Sequence, residues 1–479
     1  MKTLFNLVSV LFVALFISNT AFADIRLFEL HRQKVLAKRE QALLKKKTGI
    51  TLRGLETTEL KSYTFDQKLD HSDANDTRTF KQRYFINTEL AKDVTTSPVL
   101  LYICGEAECN PNKSILSHAK ELGASVVYVE HRYYGKSMPT TNLTAENLKY
   151  LSTAQALEDL KAIQIYLQKE KNFKGKWVVL GGSYAGSLAA YYRLKNPDLV
   201  VGALSSSGPV MAKENFEEYD LHVSKVVGEQ CGAKMKQVVK EVEALFDSPE
   251  KLLEVKKKFR GEALTDNVDF MYLIADMGAL AVQYGYKNRF CELLDSENPL
   301  QGYAKFTIEI FDSWGMTALD MSAAGALDPN VDSSDNMRQW FYQSCTEYGY
   351  WQNAYHDEKI SVRSTLINAD YHRNICIRLY GLDTSGNEKY VNETYYAPLL
   401  DAGRASNIFY TNGSTDPWLN LSIAPENKND SNTATVTFTM EGAAHCDDLG
   451  NNSLSDVKKG RQMFVELAKK WLANSSFEN

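Results

Sequence analysis

Short apolar runs alternate with amphipathic stretches along much of the chain. Runs of this length are typical of strands buried in a mainly parallel sheet, and amphipathic stretches are typical of helices packed on its faces. The predicted strands lie at 98–103, 124–129, 177–180, 200–207, 407–410 and 433–440. Residues 63–86 alternate around a turn-rich middle and predict an antiparallel hairpin at the sheet edge. Residues 151–170 and 455–473 predict a crossover helix and a closing helix.

The stretch 176–197 combines a strand, two glycines, a serine and a helix-like segment. This is the nucleophile elbow of α/β hydrolases, in which small residues allow a sharp turn and the oxygen of the serine, here Ser183, projects above the sheet. Ala185 stands at the fifth position of the usual Gly-x-Ser-x-Gly pattern, and Gly186 follows it. An ordinary glycine-rich turn between strand and helix is the alternative interpretation.

Two further residues follow predicted strands downstream of the serine. Asp416 lies in an Asp-Pro turn after the strand at 407–410, and His445 lies in a loop of small residues after the strand at 433–440. The α/β hydrolases carry the acid and then the histidine in this order. We therefore predict a triad of Ser183 as nucleophile, His445 as base and Asp416 as the orienting carboxylate. The alternative for Asp416 is an ordinary turn.

Two other histidines are candidate bases when each is considered alone. His71 lies in a polar loop, and His131 lies at the end of the strand at 124–129. Both precede the serine, whereas the hydrolase order places the histidine after it. We interpret His71 as a surface histidine and His131 as part of a structural cluster of histidine, arginine and tyrosine.

The loop after the strand at 98–103 is the expected site of one oxyanion donor. Gly105 allows the chain to approach a substrate closely, and Glu106 follows it. The second donor is expected to be the backbone N–H of Tyr184, directly after the nucleophile. A plain loop between two cysteines is the alternative.

The hydrophobic pattern changes after residue 212. From 216 to 397 the chain is largely helix-like, with charged amphipathic stretches such as 237–260. An insertion of this kind after a central strand predicts a helical cap over the active site. We divide the chain into a signal peptide, a first part of the α/β hydrolase core, a helical cap insertion and a second part of the core. These are residues 1–23, 24–212, 213–400 and 401–479, respectively.

Composition and the N-terminal residues restrict the setting. The chain has 479 residues with 44% hydrophobic content, enough for a large core, and a net charge of -6 that does not favour nucleic acid. Lys2, the apolar run 4–17 and Ala-Phe-Ala at 21–23 predict a secretory signal peptide. That run is shorter than the roughly 20 residues of a membrane span, so we expect no membrane anchor. The expected location is secreted or lysosomal/vacuolar.

Cysteines and glycosylation sequons fit that compartment. Seven cysteines without a Cys-x-x-Cys pair favour disulfides over zinc. On proximity we expect the bridges Cys231–Cys291 and Cys345–Cys376, although four cysteines allow three pairings. Nine sequons predict a glycoprotein, although Asn412 and Asn420 lie close to Asp416 and are not both expected to carry glycans. The sequons are at Asn75, Asn112, Asn142, Asn392, Asn412, Asn420, Asn429, Asn451 and Asn474.

Several motifs together resemble the serine peptidase family of lysosomal prolylcarboxypeptidase, dipeptidyl peptidase II and thymus-specific serine protease. They span most of the predicted mature chain in the family order. The motifs are EHRYYGKS (130–137), YLSTAQALEDL (150–160), GGSYAGSLAA (181–190), GALSSSGPV (202–210), CTE (345–347), NGSTDPW (412–418) and GAAHCDDL (442–449).

The resemblance implies an α/β hydrolase core with a helical cap, cleavage next to proline, and Ser183, Asp416 and His445 as the triad. It maps the family's glycine-rich loop onto residues 105–108, where Ala107 replaces a usual glycine. The presence of Cys446 next to the predicted base resembles the thymus-specific branch of the family more than the other two. Its pairing with Cys104 or Cys109, or a free thiol, stays open.

The leading hypothesis is a serine exopeptidase that acts on peptides through an acyl-enzyme. Trp351 and Trp418, with Tyr184 and Tyr348, are candidate pocket aromatics, and core packing is the alternative for each. Glu347 is a candidate for binding a substrate amine, with a structural ion pair as the alternative.

Carboxypeptidase and dipeptidyl peptidase activities both stay open. The rival hypotheses are a carboxylester hydrolase or lipase of the same fold, and an inactive secreted binding protein. The expected partner is a peptide substrate, without nucleic acid or membrane. A homodimer is left open, and we expect no metal and no cofactor.

Overall fold

The computed structural model describes residues 60–111, 113–330, 336–383 and 386–474. The expected signal peptide lies outside these residues. Thr307–Met316 are the described part of a second compact unit, and they include the end of a helix that stops at Trp314. All other described residues belong to one unit, which carries the features below.

Eight strands form one sheet in the order β1-β2-β4-β3-β5-β6-β9-β10. Strand β2 is antiparallel to both neighbours, β1 and β4, and the remaining pairs are parallel. The sheet strands are β1 Ser62–Lys68, β2 Thr79–Asn87, β3 Val99–Ile103, β4 Ser125–Val129, β5 Trp177–Gly182, β6 Gly202–Ser206, β9 Ile408–Gly413 and β10 Val436–Met440. A separate parallel pair consists of β7 Lys213–Asn215 and β8 Gly349–Trp351. This topology is that of an α/β hydrolase, so the predicted fold class is confirmed.

Helices connect the strands and fill most of the region between β6 and β9. They are α1 Lys113–Leu122, α2 Ala145–Leu148, α3 Thr153–Glu170, α4 Tyr184–Lys195, α5 Glu218–Glu243, α6 Pro249–Lys258, α7 Asn267–Gln283, α8 Lys287–Leu294, α9 Pro299–Trp314, α10 Met337–Gln343, α11 Ala369–Tyr380, α12 Glu388–Val391, α13 Ala397–Leu399 and α14 Ser455–Ala473. Among the described residues, no helix has both the length and the apolar character needed to cross a membrane.

The amphipathic stretch 237–260 is not one continuous helix. It is divided between the end of α5 and the whole of α6, with a break at 244–248. Pro249 occupies the first turn of α6, where its missing N–H costs no helical hydrogen bond. The same proline would interrupt a helix interior, so the chain starts a new helix there. The strand pair β7 and β8 is a second feature that the helix-like pattern did not reveal.

The strand pattern follows the covering of the sheet. Every side chain of β4 and of β6 is buried, because such interior strands have helices on both faces. Strand β1 lies at the edge, and its exposed and partly buried positions alternate. Continuous apolar runs therefore predicted the interior strands, and alternation predicted the edge hairpin.

The two disulfides expected in the inserted segment, residues 213–400, are confirmed: Cys231 pairs with Cys291, and Cys345 with Cys376. Cys104 pairs with Cys109 and closes the loop after β3. This leaves Cys446 as a free thiol. A pairing of Cys446 with either cysteine of the β3 loop is therefore excluded in this structure.

The burial of the sequon asparagines predicts which of them carry glycans. Asn75 and Asn451 are exposed, whereas Asn412 in β9 is fully buried and its amide donates to the carbonyl of Ile423 at 3.4 Å. We expect peptide mapping of protein produced in a secretory expression host to find glycans at Asn75 and Asn451 and none at Asn412. The variants N75Q and N451Q should each remove one glycan from the intact mass. A glycan on Asn412 would contradict the fold around β9.

Candidate active site

The nucleophile elbow is a single strained residue between β5 and α4. Ser183 has φ 58° and ψ -132°, a conformation that is costly for a residue with a side chain. Its N–H donates to the carbonyl of Ser206 at 2.9 Å. Its carbonyl accepts from the N–H groups of Gly186 (2.8 Å) and Ser187 (3.2 Å). These bonds fix the serine at the end of the strand, as the elbow pattern predicts.

Close approach of backbone explains the small residues of the elbow. A Cβ on Gly181 would lie 2.2 Å from the carbonyl oxygen of Ala185, a separation that real Cβ atoms do not adopt. The methyl group of Ala185, the departure from the usual pattern, lies 3.8 Å from the position that a Cβ on Gly105 would take. That separation is an ordinary van der Waals contact, so the methyl group of Ala185 fits against the loop after β3 without a clash.

The same contact brings the loop after β3 to the N-terminus of α4. Gly105 lies against Ala185, which follows Tyr184. The first N–H groups of a helix have no partner within the helix and point out of its end. In α4 the amides of Gly186 and Ser187 donate to the carbonyl of Ser183. The amides of Tyr184 and Ala185 precede them and are the first two N–H groups of the helix. The geometry agrees with the expected donors, whose role stays a prediction.

Asp416 and His445 form a buried pair at the same edge of the sheet. Their loops follow β9 and β10, which are parallel neighbours, and Nδ1 of His445 lies 2.7 Å from Oδ2 of Asp416. Burial disfavours the imidazolium, but the carboxylate of Asp416 and the neighbouring Cys446 outweigh burial. The pKa of His445 is therefore raised well above its ordinary value. The other carboxylate oxygen, Oδ1, accepts from the backbone N–H of Trp418 at 3.1 Å.

Other hydrogen bonds fix the loop that carries His445. The N–H of His445 donates to the carbonyl of Gln283 at 2.9 Å, and the N–H of Cys446 donates to Oγ of Ser207 at 3.0 Å. The carboxyl group of Asp448 is buried and accepts from Oγ of Ser206 at 2.5 Å, as well as from Thr411. None of these supports was predicted from the sequence.

The base loop reaches the elbow through Cys446. Its Sγ would lie 3.0 Å from a Cβ on Gly182, the residue before the nucleophile. Among the hydrogen bonds of the described residues, none joins the hydroxyl of Ser183 to His445. Catalytic hydrogen bonds are often long without substrate and tighten in the Michaelis complex. The structure therefore joins the acid to the base and brings the loop of His445 to the residue before the serine.

Glu106 lies close to the base, and His445 is the basic group among the interactions that affect the pKa of its carboxyl group. It is partly buried, and burial raises its pKa, while its own backbone N–H and the nearby His445 oppose that shift. The side chain therefore places a carboxyl group that burial makes a weaker acid beside the imidazole, in addition to any role of the backbone of its loop.

Glu347 has a structural environment different from both interpretations made from the sequence. Its carboxylate accepts from the N–H of Thr153 at 2.9 and 3.1 Å and from Oγ1 of Thr153 at 2.8 Å. Thr153 is the first residue of α3, so Glu347 satisfies donors at a helix N-terminus instead of forming an ion pair. Burial raises its pKa to about 7.

The two candidate tryptophans differ in position. Trp351 is buried and stacks on His372 with ring centroids 4.8 Å apart, so it packs in a core. Trp418 lies two residues after Asp416, and its indole N–H donates to Oε1 of Gln283 at 3.0 Å. Only Trp418 is thus connected to the predicted triad by hydrogen bonds.

One aromatic residue near the nucleophile was missed. The ring of Trp340 is partly exposed and meets the ring of Tyr184 edge-on, with centroids 5.8 Å apart. It also lies nearly parallel to Tyr350, whose ring contacts Trp418. Trp340 lies seven residues before Glu347, the last residue of the CTE motif. Its closeness to that family motif was the signal in the sequence that could have marked Trp340 as a residue near the active site.

The two rejected histidines are structural. Burial lowers the pKa of His131 to about 4, and its ring nitrogens contact the carbonyl of Arg132 (2.7 Å) and the hydroxyl of Tyr184 (3.0 Å). His71 is not a surface residue as expected, because its ring is mostly covered and lies 2.8 Å from Asp159. Arg132 donates to the same carboxylate of Asp159. This shared carboxylate explains why His71 is held in place although it lies in a polar loop.

A strained serine after the fifth strand and a buried aspartate–histidine pair after the last two strands define a hydrolase of the α/β hydrolase class. Residues 67–463 match the family model described as Serine carboxypeptidase S28, and the chain belongs to that family. The family resemblance seen in the motifs is thereby confirmed, and the protein is a serine-type peptidase that acts on peptides.

Curated relatives match over most of their length. A probable serine protease EDA2 of Arabidopsis thaliana is 33% identical over 443 residues, which cover 85% of this chain and 88% of the relative. The thymus-specific serine protease of Mus musculus is 29% identical over 453 residues, covering 85% and 86%. The lysosomal Pro-X carboxypeptidase of Bos taurus is 27% identical over 449 residues, covering 85% and 87%.

Replacing Asp416 with Asn should separate orientation from charge. The amide cannot hold the reactive tautomer of His445, and we expect kcat to fall by roughly 10⁴-fold. Without the carboxylate the pKa of His445 falls. Because the base must be neutral, the acid limb of kcat/KM then moves to lower pH. The measurement is a pH–rate profile, with the exposed Asp430→Asn as the control. Full activity in D416N would exclude Asp416 from the triad.

Glu347 should make stability depend on pH. Its folded-state pKa of about 7 lies above the ordinary value of 4.5, so the folded state holds this proton more tightly. The resulting stabilisation is complete below pH 4.5 and is lost as the pH rises to 7, a loss of about 3 kcal/mol. In Glu347→Gln this loss should disappear, as measured by urea unfolding at pH 5 and pH 7. The exposed Glu358→Gln is the control, and an unchanged pH dependence in E347Q would refute the assignment.

Proposed function

We propose that the protein is a secreted or lysosomal serine exopeptidase that cleaves peptides next to proline. The observation that carries the proposal is the buried hydrogen bond between Asp416 and His445, beside an elbow that presents Ser183, in a chain of the S28 family. In this proposal the inserted segment, residues 213–400, caps the core formed by residues 24–212 and 401–479.

The reaction begins with the transfer of a proton from the hydroxyl of Ser183 to Nε2 of His445. The serine oxygen attacks the scissile carbonyl carbon, and the imidazolium that forms is stabilised by Asp416. His445 then returns the proton to the leaving amine, the C–N bond breaks, and an acyl-enzyme remains. Water, deprotonated by the same histidine, attacks the ester and releases the product and the free serine.

The oxyanion of the tetrahedral intermediate requires two donors. We propose the N–H of Tyr184 and an N–H of the loop containing Gly105 and Glu106. The proposal is supported by the contact of Gly105 with Ala185, which brings this loop to the first turn of α4. Each such donor contributes about 10²- to 10³-fold to kcat in enzymes of this kind.

The preference for proline is supported by relatives and by aromatic residues. The bovine and mouse relatives carry the name lysosomal Pro-X carboxypeptidase. The partly exposed Trp340 beside Tyr184 offers a flat apolar surface of the kind that suits a proline ring, whereas Trp418 beside Asp416 is buried among other rings. Trp351 is not included, because it packs against His372 in a core.

Between the two exopeptidase types, we propose the carboxypeptidase. The names of the two mammalian relatives support it. Glu347, the acid considered for binding a substrate amine, already accepts three hydrogen bonds from Thr153. An amine would have to displace those bonds, which weakens the case for a dipeptidyl peptidase that relies on this residue.

The proposed compartment rests on three observations. Residues 1–23 have the pattern of a signal peptide, and the described residues contain three disulfides. Burial also raises the pKa of Glu347 to about 7 and that of Asp276 to about 6. Carboxyl groups of this kind are protonated in an acidic compartment at no cost to the fold, because the folded state binds their protons more tightly.

Blocked peptides test the reaction and its direction. We expect the wild-type protein to release the C-terminal residue of a peptide with proline next to last, as read by mass spectrometry. Blocking the peptide's amine should leave cleavage intact, whereas amidating its carboxylate should abolish cleavage. The reverse pattern would indicate a dipeptidyl peptidase. Ser183→Ala should lower turnover to background because no nucleophile remains, and unchanged turnover would refute the proposal.

Two controls separate the rival activities. An organophosphonate should label wild-type protein at Ser183 and leave S183A unlabelled, and failure to label the wild type would favour an inactive scaffold. A short-chain nitrophenyl ester, assayed beside the peptide, tests for an ester hydrolase. Turnover of the ester without any turnover of the peptide would contradict the peptidase proposal.

A further inference from the structure

Gln283, the last residue of α7, connects the inserted segment to both members of the acid–base pair. We propose that the side chain of Gln283 is a positioning residue that fixes Asp416, and through it His445, for proton transfer. The inference rests on the proposed function, because it assigns a role in the same reaction. It makes the inserted segment part of the catalytic machinery as well as a cover.

The first connection is through the backbone. The carbonyl of Gln283 accepts the N–H of His445 at 2.9 Å. The next residue, Tyr284, meets the imidazole edge-on, with ring centroids 6.2 Å apart. The C-terminal end of α7 therefore contacts the base by a hydrogen bond and by a ring.

The second connection is through the side chain. Oε1 of Gln283 accepts from the indole N–H of Trp418 at 3.0 Å and from the hydroxyl of Tyr219 at 2.5 Å. The backbone N–H of Trp418 in turn donates to Oδ1 of Asp416 at 3.1 Å. One amide oxygen thus holds the tryptophan whose backbone orients the carboxylate.

Packing makes this connection stiff. The indole of Trp418 is buried and contacts the rings of Phe216, Tyr219 and Tyr350 at centroid distances of 5.3 to 5.5 Å. A buried indole N–H normally has a hydrogen-bond acceptor, and here Gln283 is that acceptor. If the acceptor is removed, the indole loses its partner and must shift or remain unsatisfied, which costs free energy in either case.

Geometry explains why such a shift would affect the reaction. Only Oδ2 of Asp416 contacts the imidazole, while Oδ1 is held by the N–H of Trp418. A displacement of Trp418 therefore rotates or loosens the carboxylate. Misplacement of a catalytic group by about 1 Å can cost roughly 100-fold in rate.

The test uses substitutions of the Gln283 side chain that leave its backbone carbonyl in place. The acceptor oxygen receives both the indole of Trp418 and the hydroxyl of Tyr219, so its removal breaks both bonds. Gln283→Met keeps the length of the side chain and the backbone carbonyl but removes the acceptor oxygen. We expect kcat on the proline peptide to fall about 10- to 100-fold, with little change in KM, because the chemical step and not binding is affected. Gln283→Glu keeps an acceptor and should restore most of kcat. The exposed Gln237→Met, on α5 of the same inserted segment, is the matched control and should resemble wild type.

Two further readouts distinguish positioning from a general loss of structure. Trp418→Phe removes the indole donor, so kcat in the double variant Q283M/W418F should be no lower than in the worse single variant. The acid limb of kcat/KM should move to lower pH in Q283M, because a loosened Asp416 raises the pKa of His445 less. Glu106 and Cys446, which also face His445, are unchanged in this variant. Tyr284 faces His445 too and is hydrogen-bonded to the side chain of Gln283, so its environment changes together with that of Trp418.

The outcomes separate this inference from the proposed function. If S183A abolishes cleavage while Q283M has wild-type kcat and an unmoved pH profile, the positioning role is refuted and the peptidase stands. If Q283M and W418F lower kcat by factors that multiply in the double variant, the two residues act independently and the connection is also refuted. If S183A retains full activity, the proposed function itself fails.

Discussion

A serine held at a positive φ is the constraint around which the site is built. A non-glycine residue in such a conformation costs about 1–3 kcal/mol, and it persists only where its surroundings over-determine it. Ser183 has those surroundings: its N–H and its carbonyl are both hydrogen-bonded, and Gly181 allows the helix to turn back directly onto the strand. The strain is useful because it presents the side chain at the carboxyl end of β5. The loops after β9 and β10 begin at the same end of the sheet.

The acid–base pair is stabilised by a different balance. Burying Asp416 and His445 removes both from water, which disfavours their charged forms, but their mutual attraction outweighs that cost for the imidazole. The attraction depends on distance and orientation, and the loops therefore carry many anchors. The base loop is held by donors and acceptors from Gln283, Ser207 and Asp448, so a long connection with little regular structure places its side chain accurately.

Much of this arrangement could be predicted because its signals are local. An elbow needs small residues next to a serine, and interior parallel strands need continuous apolar runs, so both features are visible in a few consecutive residues. The order of serine, aspartate and histidine added a constraint along the chain. Disulfides within the inserted segment followed from proximity of the cysteines in the sequence.

The supports of the site could not be predicted because they depend on contacts between distant segments. Nothing near Gln283 in the sequence indicates that α7 ends against the base loop, and nothing near Asp448 indicates that its carboxyl group lies under Ser206. Glu347 illustrates the same limit. Its charge suggested an ion pair or a ligand for an amine, yet the helix N-terminus at Thr153 occupies its oxygens.

Stability and catalysis respond to pH in opposite directions. Glu347 and Asp276 bind protons more tightly in the folded state, which favours the fold at acidic pH. In the proposed reaction His445 must be neutral to accept the proton of the serine, and the carboxylate beside it raises the pH at which it becomes neutral. The attraction of the Asp416 carboxylate, which outweighs burial, therefore limits how acidic a medium the proposed reaction tolerates. The position of Asp416 sets that limit, and Asp416 is oriented by Trp418, which the inserted segment holds through Gln283.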